Sequence, residues 1–262
     1  MNLATFNLTR LYKIDTIGAM LIKTYPIKLQ TATMLTPSVK HFVFNYNEPP
    51  YADFVPGQFI TMHFEIDGKK FRRSYSLANA TPNNLVEFAA GFVKNGPASE
   101  KLFSLQEGDT INISGPFGRL ILRDEPVERY IFIATSTGVT PYLSMLQSIG
   151  NKLKNNPSLE VYILQGIQHK EDLLYGEDFI SFCETHKQAH FFACYSREQG
   201  NNLNSYEHLG YIQTKLKQLI PEPKTDIIYL CGNPDMVDDT FSYLKELNFD
   251  KKNIRREKYI SN

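Results

Sequence analysis

Apolar and polar positions change rhythm once along this chain of 262 residues. From Lys28 to about Leu122 the apolar residues fall in short, loosely alternating runs separated by turn residues. Residues 28–34, 41–44, 58–64, 85–93 and 110–114 each read as a strand, and Asp67-Gly68 predicts a hairpin turn after the third. A single helix is predicted in this stretch, over 99–105. Many short strands with frequent turn signals predict an antiparallel β-barrel.

After Asp124-Glu125-Pro126 the runs become solidly apolar. Strands are predicted at 130–134, 159–164, 189–194, 226–231 and 253–259, with helices at 143–153, 171–185, 211–219 and 235–247. Strands alternating with helices imply βαβ units on a parallel sheet. Strands apolar on both faces fit a sheet covered on both sides. The fold class expected is therefore an antiparallel β-barrel followed by a doubly wound parallel-sheet α/β domain. The divisions expected are an N-terminal arm at 1–25, the barrel at 26–125 and the α/β domain at 126–262. Residues 1–25 match no periodic template and read as a poorly ordered arm. The active site belongs between the two domains, at the carboxyl ends of the parallel strands.

Charge narrows the function. Lys+Arg and Asp+Glu both number 28, so the net charge is zero and nothing argues for a nucleic-acid partner. The cysteines (Cys183, Cys194, Cys231) stand too far apart for a zinc or iron–sulfur spacing, so no metal site is expected. No apolar run approaches the roughly 18 residues of a membrane helix. The run from Ile17 to Ile22 is too short for a signal peptide, and sparse cysteines suit a reducing compartment, so no membrane partner and a cytoplasmic location are expected.

Five segments carry candidate chemistry. Arg73-Ser74-Tyr75-Ser76 ends a barrel strand, and alternation puts Arg73 and Tyr75 on one face, Ser74 and Ser76 on the other. An Arg fork holds phosphate and a Tyr ring stacks on a flat ligand; an ordinary strand with a surface Arg is the plainer alternative. Gly96-Pro97-Ala98-Ser99 opens the barrel helix, where Ser99 is either the N-cap or part of an anion site. The turn from Ala134 through Thr137 and Gly138 to Pro141 joins the first parallel strand to its helix, where a dinucleotide approaches the backbone. With one glycine it does not satisfy G-x-G-x-x-G and also reads as a plain polar turn. Cys231-Gly232-Asn233-Pro234 puts a thiol at the same sheet edge, with a buried structural cysteine as the alternative. Ser196-Arg197-Glu198 is either a reader of a ribose 2′-phosphate or a solvated charged loop.

Taken in order, these segments with Gly115-Pro116-Phe117-Gly118 and Glu257-Lys258-Tyr259 resemble the ferredoxin–NADP⁺ reductase family, from about 27 to 259. The resemblance implies a flavoprotein oxidoreductase that moves electrons between NADPH and a ferredoxin or flavodoxin, by hydride transfer to bound FAD. By that resemblance Arg73 pairs with the flavin pyrophosphate, Tyr75 stacks on the isoalloxazine, Ser76 approaches its N5, and Ser99 with its neighbouring backbone holds phosphate. Thr137, Gly138 and Pro141 line the nicotinamide side, and Cys231 contacts the nicotinamide. Glu257 and Tyr259 match residues that shape the site. Ser196, Arg197 and Tyr211 match positions that read the 2′-phosphate, which favours NADPH over NADH. Ser76, Cys231, Glu257 and Tyr259 are thus the expected catalytic set.

Two departures stand out. Ser136 replaces the first glycine of the family's Gly-Thr-Gly turn, and Ile260-Ser261-Asn262 extends past Tyr259. The basic residues Lys251, Lys252, Arg255, Arg256 and Lys258 suggest either steering of an acidic carrier or a solvated surface. Alternative functions are an NAD(P)H-dependent flavin reductase, the reductase component of an oxygenase, and a flavin electron-transfer subunit without turnover of its own. The run 73–82 also resembles the flavin domains of oxygenase reductases.

Overall fold

A computed structural model describes residues 12–14, 20–46, 54–81, 83–200 and 202–259. Within the predicted arm, β1 (Tyr12–Ile14) pairs antiparallel with β2 (Met20–Ile22). Residues 1–11 and 15–19 of that arm, like Pro82 and 260–262, lie outside the described residues.

The predicted barrel forms from β3 (Tyr25–Thr36), β4 (Val39–Asn45), β5 (Phe59–Ile66), β6 (Lys69–Ser76), β7 (Leu85–Gly91) and β8 (Thr110–Phe117). The strand order is β6-β5-β8-β3-β4-β7, all antiparallel. A bridge between Leu77 and Phe88 joins the two ends. Asp67 and Gly68 both have positive φ, which a two-residue hairpin between right-twisted strands requires. Alternate residues point inward: Phe42, Phe44, Ile60, Met62, Val86 and Phe88 fill the interior. Helix α1 (Pro97–Phe103) packs on β5 and β6 and adds Ala98 and Leu102 to that core.

The second sheet comprises β9 (Arg129–Thr135), β10 (Glu160–Ile167), β11 (Ala189–Tyr195), β12 (Glu207–Leu209), β13 (Asp226–Gly232) and β14 (Ile254–Lys258). All pairs are parallel, in the order β12-β11-β10-β9-β13-β14. The helices are α2 (Thr140–Asn155), α3 (Gly176–Thr185), α4 (Ile212–Gln218) and α5 (Pro234–Glu246). Alternation along β9 sends Phe132 and Ala134 into the core shared with α2 and α3. Ile131 and Ile133 enter the core shared with α4 and α5. The sheet is therefore doubly wound, and its order reverses between β9 and β13, the place where such sheets open a crevice.

One predicted helix is corrected. Residues 171–185 are not continuous: Lys170–Asp172 form a 3-10 turn and α3 begins only at Gly176. Tyr175 between them is left-handed, at φ 55, which no helix interior accommodates. That backbone aims its hydroxyl at the barrel, where it lies 2.8 Å from His41 Nδ1, while His41 Nε2 lies 3.3 Å from Glu87 Oε2. A second polar link runs from the Gly57 N–H to Ser144 Oγ, 3.0 Å. Gly57 has φ 99 and its missing Cβ would collide with the Leu120 carbonyl oxygen, so only glycine permits this approach. Between these links, Val39, Ala89 and Leu120 join the core of the parallel sheet.

Candidate functional site

The crevice at the β9–β13 junction is built by two turns. After β9 the chain takes the 3-10 turn Ser136–Val139 into α2, with Pro141 in its first turn. Ser136 adopts φ 48, the left-handed conformation that favours glycine. Gly138 abuts β13: a Cβ there would collide with the Cys231 carbonyl oxygen. After β13, Gly232 turns at φ 124 beneath Thr135, whose Oγ1 accepts the Asn233 N–H at 2.9 Å. Asn233 then caps α5, its Oδ1 accepting from Asp235 N at 2.8 Å and Met236 N at 3.2 Å, with Pro234 in the first turn. Thus Cys231-Gly232-Asn233-Pro234 ends a strand, turns and starts a helix within four residues. The role of Thr135 in this joint had no signal in local spacing, since its partner lies 98 residues away.

Four predicted residues come together here from both domains. Cys231 and Glu257 are register partners on β13 and β14. The Tyr259 N–H donates to the Gly232 carbonyl at 2.8 Å, which anchors the chain just beyond β14. From the barrel, Ser76 at the end of β6 meets them: Tyr259 OH donates to Ser76 Oγ at 2.6 Å, and Ser76 Oγ donates to Glu257 Oε1 at 3.4 Å. Tyr259, Ser76 and Glu257 therefore form a line of hydrogen bonds across the domain boundary. Burial pushes the Glu257 carboxyl up to about 7, with the Ser76 hydroxyl pulling weakly the other way. Burial, with Glu257 nearby, keeps the Cys231 thiol and the Tyr259 phenol protonated. Cys231 is thus a neutral thiol, and Glu257 is the group in this cluster able to hold or release a proton near neutrality.

The barrel side has its own logic. Tyr75 lies opposite Ile60 and Arg73 opposite Met62, so both share the inward face of β6, as alternation predicts. Tyr75 stacks on Phe88 at 4.7 Å between centroids, and burial raises its phenol beyond ordinary titration. Arg73 Nη1 donates to the Arg72 carbonyl at 2.8 Å. Ser74, on the opposite face, shares a 3.0 Å hydrogen bond with Thr61. Helix α1 begins two residues earlier than the predicted 99–105, because its N-cap is Gly96, not Ser99. Ser99 turns back and its Oγ accepts the Val93 N–H at 2.8 Å, bracing the loop before the helix. The first bond in the helix is from Glu100 N–H to the Gly96 carbonyl, so the amides of Ala98 and Ser99 precede it and Pro97 has none to offer.

The third group stands apart. Ser196 and Arg197 follow β11, and Tyr211 follows β12, to which the Gly210 N–H ties the Tyr195 carbonyl at 2.8 Å. The ends of β11 and β13 are three strand spacings apart, about 14 Å. Arg197 is exposed, Tyr211 is 69% exposed, and the Ser196 hydroxyl donates to Ile167 at 3.2 Å. The predicted site residues thus form a buried cluster between the domains and an exposed set further along the sheet edge. Three residues of the predicted basic cluster are paired: Arg256 and Lys258 share Asp238, and Lys252 pairs with Asp250.

The fit to a flavin and a dinucleotide rests on this geometry. A tyrosine braced on one side by Phe88 presents a flat platform. The Thr140 hydroxyl, at the start of α2, is buried with no hydrogen-bond partner among the described residues, as expected of a group that meets a ligand. No local pattern marks Thr140 in the sequence. Among the described residues no His, Cys, Asp and Glu cluster suits a metal ion, and no helix is long and apolar enough to cross a membrane.

Comparison with known proteins agrees. An oxidoreductase FAD-binding domain matches residues 26–121 and an oxidoreductase NAD-binding domain residues 132–241. The flavodoxin/ferredoxin–NADP reductase of Buchnera aphidicola is 30% identical over 79% of this chain and 86% of its own. The anthranilate 1,2-dioxygenase electron transfer component of Acinetobacter baylyi is 32% identical over 79% of this chain, which spans 59% of that protein. A ferredoxin NADP⁺ reductase from Neisseria gonorrhoeae, solved with FAD and NADP, superposes with TM-score 0.78 at 22% identity, over 92% of this chain and all of that one. The chain belongs to the ferredoxin–NADP⁺ reductase family and is an FAD-dependent, NAD(P)H-dependent flavoprotein oxidoreductase.

Proposed function

We propose that the protein carries electrons between NADPH and a small one-electron carrier of the ferredoxin or flavodoxin class. The observation that carries this reading is the Tyr259–Ser76–Glu257 line beside Cys231, shared by both domains at the switch point. The names of its relatives, ferredoxin and flavodoxin/ferredoxin reductases, support the partner class. Flavin binding is assigned to residues 26–125 and nicotinamide binding to 126–262. Three free cysteines suit the cytoplasm as its compartment.

Bound FAD supplies the acceptor for a hydride and the donor of single electrons. The chain's own residues position and insulate. Tyr75 and Arg73 seat the flavin, with the amides ahead of Glu100 offering anion contacts. Thr137, Gly138, Thr140 and Pro141 shape the nicotinamide side. Ser76, Cys231 and Tyr259 exclude water from the reacting face, and Glu257 exchanges a proton through the Ser76 hydroxyl. Arg197 and Tyr211 select the adenosine end, where a guanidinium favours a 2′-phosphate.

The test is spectroscopic. The purified protein should show flavin absorbance near ~450 nm that bleaches anaerobically, faster with NADPH than NADH, since a bound flavin supplies the redox chemistry. A colourless protein that oxidises NAD(P)H only with added free flavin would instead be a flavin reductase. A second reading, reductase component of an oxygenase, is favoured by the 32% identity to the anthranilate dioxygenase component. Electron delivery to an oxygenase, with none to ferredoxin or flavodoxin, would select it.

A further inference from the structure

The segment that carries Arg197 is held by one residue on both of its sides. Beyond β10 and β11 the two chains stay paired: Ser196 N–H donates to the Ile167 carbonyl at 2.9 Å and Arg197 N–H to the Gln168 carbonyl at 3.0 Å. Next in line, the Lys170 N–H donates to Glu198 Oε2 at 3.0 Å, and His169 Nδ1 lies 3.8 Å from the same oxygen. The Lys170 side chain then crosses to the far part of the segment. Its Nζ lies 3.0 Å from Glu207 Oε2 and 3.4 Å from the Asn202 carbonyl, over the ring of Tyr195. Glu207 also accepts from Tyr195 OH at 3.0 Å and from Asn204 N–H at 2.7 Å.

Both carboxylates are held ionised. The Lys170 amide keeps Glu198 below the usual carboxylate range. Burial pushes Glu207 up, but the Asn204 amide, Lys170 and Tyr195 outweigh it. Two ionised carboxylates thus flank the segment bearing Arg197, and an uncompensated acid beside a ribose favours a 2′-hydroxyl over a 2′-phosphate. We propose that Lys170 is a specificity-determining positioning residue. Its side chain staples the far part of the Arg197 segment and offsets the charge of Glu207, while its amide holds Glu198, so that this end of the site accepts the phosphorylated dinucleotide. The proposal rests on the reading of Arg197 as the 2′-phosphate reader.

The experiment compares kcat/KM for NADPH and for NADH in the FAD-loaded full chain, for wild type, Lys170→Met, Lys170→Arg and Arg197→Ala. Flavin content per chain controls for folding. Lys170→Met should lower the NADPH/NADH ratio about fivefold or more, through KM for NADPH rather than kcat. Lys170→Arg keeps the cation and should restore the ratio to within about twofold. An unchanged ratio in Lys170→Met, or an equal loss with both dinucleotides, would overturn the proposal. If Arg197→Ala collapses the ratio while Lys170→Met does not, the staple is wrong and the reading of Arg197 stands. If Arg197→Ala leaves the ratio unchanged, that reading fails first.

Discussion

The buried and exposed ends of the site are built on opposite principles. At the β9–β13 junction, Ser76, Cys231, Glu257 and Tyr259 are packed together and largely satisfy one another. Beyond β11, Arg197 and Tyr211 face solvent, and the Arg197 segment is supported by backbone pairing and by the contacts of Lys170. A low-dielectric cluster strengthens every polar interaction in it and shifts proton affinities. An exposed guanidinium is screened and contributes discrimination more than rate. Substitutions in the first region should therefore change the chemical step, and those in the second should change which dinucleotide is chosen.

The sharpest way to break that contrast is at Ser76, which both accepts from Tyr259 and donates to Glu257. Ser76→Ala should slow flavin reduction by NADPH roughly 100-fold while flavin content stays at the wild-type level. Stopped-flow absorbance measures it, and a rate within a few-fold of wild type would remove the cluster from the chemical step. Cys231→Ser should slow the same phase by about tenfold, because a neutral buried thiol packs rather than ionises. At the exposed end, Arg197→Ala should raise KM for NADPH about tenfold, the equivalent of ~1.4 kcal/mol from a charge-assisted contact, and leave KM for NADH within about twofold.

Acidity offers a third comparison. Glu257 is pushed up to about 7, so the folded protein holds its proton between the unfolded carboxylate range and neutrality. Over that window the native state binds more protons than the unfolded state. The contribution to stability is present at low pH and is lost as pH rises through about 7. Reduction by NADPH should inflect near the same pH, and Glu257→Gln should flatten both profiles. The smallest effect is expected at Ser136, a non-glycine at φ 48. Ser136→Gly relieves about 1 kcal/mol of left-handed strain, partly offset by the added freedom of the unfolded chain. A small rise in the thermal midpoint would register it.

Most of the scaffold was legible because its signals are local. Barrel strands alternate, buried parallel strands run apolar throughout, and Gly-Pro and Asn-Pro punctuate the helix starts. The strand Glu207–Leu209 was missed because three residues carry no period. The break in the predicted helix at 171–185 is not legible, because it is a left-handed backbone conformation of Tyr175, whose hydroxyl meets a partner 134 residues away. Spacing allows Ser99 as a cap, yet Gly96 holds that place, since sequence spacing does not say which way a hydroxyl turns. Ser76 and Cys231 are legible in the buried cluster because they stand near strand ends, and Glu257 and Tyr259 through the family resemblance. The Lys170 staple is not legible, because it consists of a backbone-to-side-chain bond across 28 residues and a side-chain ion pair across 37.

The contact made by Gly57, Val39, Ala89 and Leu120 has a consequence for how the molecule comes apart. Three of these side chains belong to the same apolar core as Phe132 of the parallel sheet, Met145 of α2 and Phe179 of α3. Separating the halves would expose that shared core to water, so the two halves, each with a core of its own, are coupled in stability. Heating should then melt barrel and sheet in one cooperative transition. Chimeras that splice a foreign flavin half onto this sheet will fold well only if they bring matching side chains at those positions, and a glycine where Leu120 passes.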